Sequence, residues 1–378
     1  MHTIKKKILL ISISILLFLG GCAVKGHVSE GTRGNIELNK GVHLVWDAVE
    51  GDGSTPLFWC GNSMFVVRGK NSALGLMNIW TGERVKISAD KDDFPLDCTA
   101  DGKWLVYMDL ASKRADKKDG IATSGRERHV ADLYRYEVAT GKKQRFAAVR
   151  YSLHEREVVS PDGFKAFLGA GHDSAMEMPE PGWEALWFGN DWDHAGAVWF
   201  PDSSGVVSYG HNPNALFVEL FGKGGRSRRF VLGPEYKGNI RKLATDKENR
   251  VYFELSEDSP DTLRLIYRCD IPDRNLACKR IFEHDETVSS YMILPDGDIV
   301  FNIDMDPCIR RISPPETRAE CAAKKVYEDI MYDDITFIGT SPNGRWLAFE
   351  STKWVRSLEA DFSHHSKGHF LVMEVANY

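Results

Sequence analysis

The chain has 378 residues, 43% of them apolar, and a formal net charge of −6. That apolar fraction supplies a sizeable core and, with no low-complexity tract, excludes a mainly disordered or fibrous protein. The acidic balance argues against nucleic acid as the main partner, because a phosphate backbone selects a basic surface.

Residues 1–21 read as an export leader. Lys5, Lys6 and Lys7 form a basic start, Ile8 to Leu19 an apolar core, and Gly20 and Gly21 stand as small residues before Cys22. Such a stretch is too short to span a membrane and remain there. Its end, Leu19-Gly20-Gly21-Cys22, resembles the lipobox of bacterial lipoproteins. The resemblance implies that Cys22 becomes the lipidated first residue, palmitate included, of a protein held in the cell envelope and facing the periplasm. In a cell with two membranes, Ala23 after it favours the outer membrane. Loss of the three leader lysines takes the net charge from −6 to −9. Residues 22–40 are then the lipidated Cys and a polar, Gly-containing flexible tether, and residues 41–378 a single folded domain.

From there the chain repeats. Related turns stand at Thr99-Ala100-Asp101-Gly102, Ser160-Pro161-Asp162-Gly163, Phe200-Pro201-Asp202-Ser203, Leu294-Pro295-Asp296-Gly297 and Ser341-Pro342-Asn343-Gly344. Pro presets φ at the first central position, Asp or Asn accepts a nearby backbone N–H, and Gly takes the φ > 0 position that closes the reversal. Recurrence every 40 to 60 residues marks a repeat. Each repeat parses as four short strands, A to D, with the marked turn joining A to B. Repeat one reads Leu57–Cys60, Met64–Arg68, Leu74–Ile79 and Arg84–Ile87, and repeat two has B, C and D at Lys103–Asp109, Leu133–Val138 and Lys142–Ala148. Repeat three reads Phe164–Leu168, Ser174–Met178 and Trp183–Phe188, and repeat four Val206–Tyr209, Leu216–Phe221 and Arg228–Leu232. Repeat five runs Ile240–Thr245, Arg250–Leu255, Leu263–Arg268 and Lys279–Phe282, and repeat six Ile299–Ile303, Cys308–Ser313 and Ala323–Tyr327. The seventh ends at His369–Val375 without a D strand, whereas Val42–Trp46 is an apolar run without a repeat. Ring closure, with the N-terminal run as the missing outer strand, satisfies both and protects the sheet edges.

The Ser-Pro-Asp-Gly turn before an apolar strand resembles the TolB-like, WD40-like β-propeller repeat over about residues 42–378. The resemblance implies an all-β, seven-bladed β-propeller, six or eight blades also fitting, around a central channel. Relatives of this repeat serve as binding scaffolds or as gating domains of serine peptidases, so the fold alone assigns no reaction. The chain is expected to have neither the amino-terminal α/β domain of TolB nor a hydrolase domain after Tyr378.

Setting aside Cys22, six cysteines remain, an even number in an oxidising compartment. Cys269 with Cys278 and Cys308 with Cys321 would each staple neighbouring strands, leaving Cys60 with Cys98 to link two repeats; free buried thiols are the alternative.

In such a ring the tight turns share one face and the B–C and D–A loops the other. The long segments Ala111–Ala131, Gly169–Asp173, Gly189–Gly196, Ser256–Thr262 and Thr352–Gly368 fall on the second face, where binding is usually built. His172 and Asp173 with Asp191, Asp193 and His194 form a candidate divalent-metal or acid/base site at the channel mouth, or else a hydrogen-bonded polar loop. His364, His365 and His369 are expected in a loop, for metal or pH sensing. Lys113, Arg114, Lys117, Lys118, Arg126 and Arg128 form a basic arm suited to anionic head groups or an acidic partner. Trp192 and Trp354 are candidate contact anchors. Acids such as Asp93, Glu257, Asp258 and Asp285 are expected in loops on that face. No GxSxG, P-loop or dinucleotide motif occurs. The expectation is a lipid-anchored, non-enzymatic protein-binding scaffold with no cofactor, one form of which is sequestration of a periplasmic toxin. The competing class is a metal-assisted hydrolase or lyase using a divalent ion at the channel mouth.

Overall fold

The computed structural model describes residues 42–47, 55–69, 73–88, 93–115, 129–151, 158–162, 165–167, 184–186, 194–211, 214–220, 227–234, 236, 238–256, 263–271, 276–285, 287–304, 306, 308–316, 318–324, 333–355 and 365–375. These form a β-propeller of six four-stranded antiparallel blades and one three-stranded sheet. Blade one is Thr55–Cys60, Met64–Arg68, Leu74–Asn78 and Arg84–Lys86; blade two is Asp93–Cys98, Trp104–Ala115, His129–Glu137 and Lys143–Tyr151. Blade four is His194–Trp199, Gly205–His211, Asn214–Leu220 and Ser227–Val231; blade five is Asn239–Thr245, Val251–Ser256, Arg264–Asp270 and Ala277–His284. Blade six is Val288–Ile293, Ile299–Ile303, Cys308–Ile312 and Glu320–Lys324. Blade seven is Asp333–Thr340, Trp346–Val355 and His365–Glu374, and its fourth, outer strand is Val42–Asp47, paired antiparallel with His365–Glu374. The N-terminal strand therefore closes the ring as expected.

The third sheet departs from the expected parse. Val158–Val159 pairs antiparallel with Lys165–Phe167, but Glu184–Leu186 lies beside the latter in parallel. A parallel neighbour cannot follow through a tight hairpin, so Glu184–Leu186 occupies the C position while running in the D direction. The strand expected at 174–178 lies outside the described residues.

The B and C strands are near-continuous apolar runs because each blade is buried on both faces between two neighbours. Val207, Leu216 and Val218 of blade four meet Ile240, Val251 and Phe253 of blade five, and Phe65 and Val67 of blade one meet Ala348, Phe370 and Val372 of blade seven. The core is thus a set of layers between blades. In every four-stranded blade the A/B register shifts by one residue. Such a bulge adds twist where the inner strands converge on the axis.

The A–B turns carry the φ > 0 position that their sequence demands. Gly61, Gly102, Gly297 and Gly344 have φ of 68°, 71°, 91° and 71°, and Ser203 and Asn249 adopt 61° and 57° in the two turns without Gly. In blade two the Thr99 hydroxyl accepts the Trp104 N–H at 3.0 Å, and Asp101 Oδ1 accepts the Thr99 hydroxyl at 2.6 Å and the Lys103 N–H at 2.9 Å. Ser341, Asn343 and Trp346 repeat that lattice in blade seven.

These turns also bind one another around the ring. Gly61 and Gly102 approach so closely that a Cβ on either would lie 2.9 Å from the other's Cα. Ala100 N–H donates to the Pro161 carbonyl, Asp162 N–H to the Ser203 hydroxyl, Asn249 Nδ2 to Asp202, and Lys247 N–H to the Pro295 carbonyl. Gly344 packs on Pro295, and Asn343 N–H donates to Asn62 Oδ1. The circuit passes through all seven sheets and returns to the first.

The three disulfides join Cys60 to Cys98, Cys269 to Cys278 and Cys308 to Cys321. The last two tie C to D strands within blades five and six, and the first ties the inner strands of blades one and two.

Candidate functional site

The B strand of blade five reads Val251-Tyr252-Phe253-Glu254-Leu255-Ser256, with one charge inside an apolar run. Val251, Phe253 and Leu255 pack toward blade four, so Tyr252 and Glu254, on the other side of the pleat, face blade six. Glu254 is 4% exposed. Tyr291, from the inner strand of blade six, donates its hydroxyl to Glu254 Oε2, while Arg264 Nη1 stands 3.6 Å from Glu254 Oε1. Burial first, and then the Glu254 charge, drive the Tyr291 pKa well above its ordinary value, which keeps it a donor.

Lys242, on the inner strand of blade five, crosses to blade six and donates to the Tyr291 carbonyl at 2.9 Å, with its ammonium 4.3 Å from the Tyr291 ring centre. By area Lys242 is exposed, while its ammonium end lies against Tyr291 of the neighbouring inner strand. Burial of that end lowers its pKa, with Glu254 pulling the other way. His284, the last residue of blade five, is buried against Tyr291 with ring centres 5.3 Å apart. Its Nδ1 faces the Asp285 carbonyl at 3.1 Å, and its Nε2 has no hydrogen-bond partner. Burial pushes its pKa below the usual value, so the ring is neutral near pH 7.

Lys242, Glu254 and Tyr291 border a cavity of about 240 Å³ beside the inner strands of blades five and six, with Val198 of blade four and Leu243, Ala244, Met292 and Ile293 among its apolar walls. The arrangement offers a cation, a tied carboxylate and a protonated phenol beside an apolar hollow.

A second polar cluster lies in blade two. Tyr107 is fully buried, stacks on Tyr134 at 5.8 Å, and its hydroxyl has no hydrogen-bond partner. Lys143 stands over both rings, 4.2 Å from that of Tyr134. On the inner strand, Asp97 is raised to about 7 by burial, against the Cys98 N–H that donates to it at 2.7 Å.

The residues singled out in the sequence fall as follows. His172, Asp173, Asp191, Trp192 and Asp193 lie outside the described residues, as do Cys22, Lys117, Lys118, Arg126, Arg128 and His364. His194 opens the inner strand of blade four. Among the described residues no group of three or more His, Cys, Asp or Glu is placed to hold a metal ion. Lys113 and Arg114 are in strand, and Trp354 pairs with Ser366 in the blade-seven hairpin. The expected loops 111–131 and 352–368 are thus partly sheet: Ala115 pairs with His129, and Val355 with His365. His365 and His369 are strand residues, and His369 is buried, which corrects the histidine-loop reading. Asp93 is likewise a buried strand residue and not a loop acid. The five–six cluster was missed; the legible signal was a carboxylate in a strand otherwise apolar on both faces.

No protein-family model matches the chain, and no curated protein does. Among solved structures it is similar to hydrazine synthase from Kuenenia stuttgartiensis, at 9% identity over 93% of this chain and 99% of that one, TM-score 0.48. It is similar to the periplasmic gluconolactonase of Pseudomonas aeruginosa at 12% identity, over 85% of this chain and 95% of that one, TM-score 0.38. It is also similar to a protein described as TolB from Agrobacterium tumefaciens, at 13% identity over 78% and 95% of the two chains, TM-score 0.39. Likeness of this grade carries no chemistry, and the propeller is read from the chain's own sheets.

Proposed function

We propose that this chain is a lipid-anchored cell-envelope propeller that binds an acidic protein partner on the face bearing its B–C loops. The observation that carries the reading is the length of two B–C hairpins. In blade two the B strand has 12 residues, and its pairing, interrupted by an irregularity between Asp109 and Arg114, resumes as far as Ala115 with His129. The third strand follows it outward, pairing His129 with Tyr151. In blade seven the B and C strands have 10 residues each. Blade one, between them, has B and C strands of only 5 residues, ending where Arg68 pairs with Leu74. Two raised hairpins thus flank a low blade. Hairpins carried on a rigid scaffold are where binding is usually built. Lys113 and Arg114 place two positive charges on the strand of that blade-two arm in an acidic chain, which favours an acidic protein by charge complementarity.

The anchor is the Cys22 lipid, with periplasmic exposure on the outer membrane where the cell has two. Affinity capture from envelope extracts is expected to recover a partner with the wild type and to lose it with Lys113→Glu/Arg114→Glu. Equal recovery with the double variant would sink the arm as the contact. Replacing Cys22 by Ser is expected to move the protein from the membrane to the soluble fraction.

A further inference from the structure

The cavity between blades five and six has no part in that surface, and its chemistry points to a ligand of its own. We propose that it is a binding site for a small apolar carboxylic acid, whose carboxylate sits on the Lys242 ammonium and whose body lies against Leu243, Ala244, Met292 and Ile293.

An ammonium has three donors. Lys242 uses one, to the Tyr291 carbonyl at 2.9 Å, and is otherwise held over the Tyr291 ring at 4.3 Å. Glu254, the acid beside it, is already occupied by the Tyr291 hydroxyl and by Arg264. Arg264 is half exposed and paired with Glu254, and His284 is neutral with the Asp285 carboxylate beside it, so Lys242 is the cation that lines the cavity. A carboxylate complements that ammonium through a charge-assisted hydrogen bond, whereas a cation would be repelled by it. Crowding by the inner strands lowers the Lys242 pKa, and a carboxylate in the cavity would stabilise the charged ammonium. At about 240 Å³ the space is smaller than the roughly 300–1,000 Å³ of drug-sized sites. Apolar walls beside a single cation suit a short aliphatic or single-ring acid better than a strongly hydrated phosphate or a sugar.

The test is calorimetric titration of the purified chain with benzoate and hexanoate, and with benzamide and hexanamide as uncharged isosteres. The acids are expected to bind saturably and the amides about tenfold or more weakly, the loss of one charge-assisted hydrogen bond. Lys242→Met should weaken the acids by about the same factor and leave the amides unchanged. Ala244→Leu, which fills the hollow and keeps the cation, should abolish binding of both. Near-ultraviolet circular dichroism checks that each variant is folded. The proposal is overturned if neither acid saturates at millimolar concentration, if acids and amides bind alike, or if a folded Lys242→Met or Ala244→Leu binds the acids as wild type does.

Discussion

Tyr291 and Tyr107 are both tyrosines buried between blades, and their hydroxyls have opposite standing. The Tyr291 hydroxyl satisfies a buried carboxylate, whereas that of Tyr107 has no partner. Tyr291→Phe should therefore destabilise by about 1–3 kcal/mol, since Glu254 loses its donor. Tyr107→Phe should be neutral or stabilising, because it removes a desolvated hydroxyl and keeps the ring. Urea unfolding of the two variants checks the contrast, and equal losses would refute it. Asp97 gives a pH prediction with a definite sign. Its folded pKa of about 7 lies above the ordinary 3.8, so between those values the folded state holds a proton that the unfolded state has released. Stability then falls as pH rises through that window and levels off above it. Asp97→Asn keeps an oxygen for the Cys98 N–H but cannot ionise. Its melting temperature should match wild type near pH 4 and exceed it by several degrees at pH 8; a constant offset would discard the assignment. Neither Glu254 nor Asp97 stood out in the sequence, because a lone acid in an apolar run looks the same whether its facing blade supplies a tyrosine or nothing.

At the scale of elements, the A–B turns were legible because their chemistry is local. Gly, Asn or Ser at the φ > 0 position, with Asp or Asn before it in blades two, four, six and seven, defines the reversal within four residues. What they touch was not legible. Gly82 and Gly102 have φ of 70° and 71°, yet a Cβ at Gly82 meets nothing within 4 Å while one at Gly102 meets Gly61 Cα at 2.9 Å. Gly82→Ala should cost about 1–2 kcal/mol for its left-handed backbone alone. Gly102→Ala should cost clearly more, because the neighbouring turn must move; thermal unfolding decides, and equal costs would mean that the turn-to-turn contact is loose. The hairpins of blades two and seven show the opposite failure. Their outer parts are polar or mixed, so residues 111–115 and 365–368 carry no burial pattern to announce strand, and pairing with the hairpin partner makes them sheet.

Over the whole molecule, the ring is held at three places: the layers between blades, the circuit of A–B turns, and the strand Val42–Asp47 that completes blade seven from the far end of the chain. Removing that strand leaves the edge of His365–Glu374 unpaired and breaks the covalent return from blade seven to blade one. A chain beginning at residue 48 should unfold at lower temperature than one beginning at residue 41 and should self-associate through the open edge. Identical melting curves and sedimentation would show that closure adds nothing. The Cys60–Cys98 disulfide spans 38 residues of sequence and joins two blades directly, so by chain entropy it contributes about 4 kcal/mol, more than either short bridge.

The amino-acid sequence by itself indicated a ring of about seven repeats, of which six are four-stranded blades and one a three-stranded sheet, together with most of their reversals, the strand that closes the ring and the favoured cysteine pairing. All of these depend on residues near one another in the chain or on regular spacing along it. Only the tertiary structure brought Lys242 and Glu254 to Tyr291, across 49 and 37 residues, set a parallel strand into the third sheet, and raised two hairpins beside a low blade. Hairpin pairing is encoded within each repeat. Which side chains meet between blades depends on the facing surface of a different repeat, and local patterning does not record that surface.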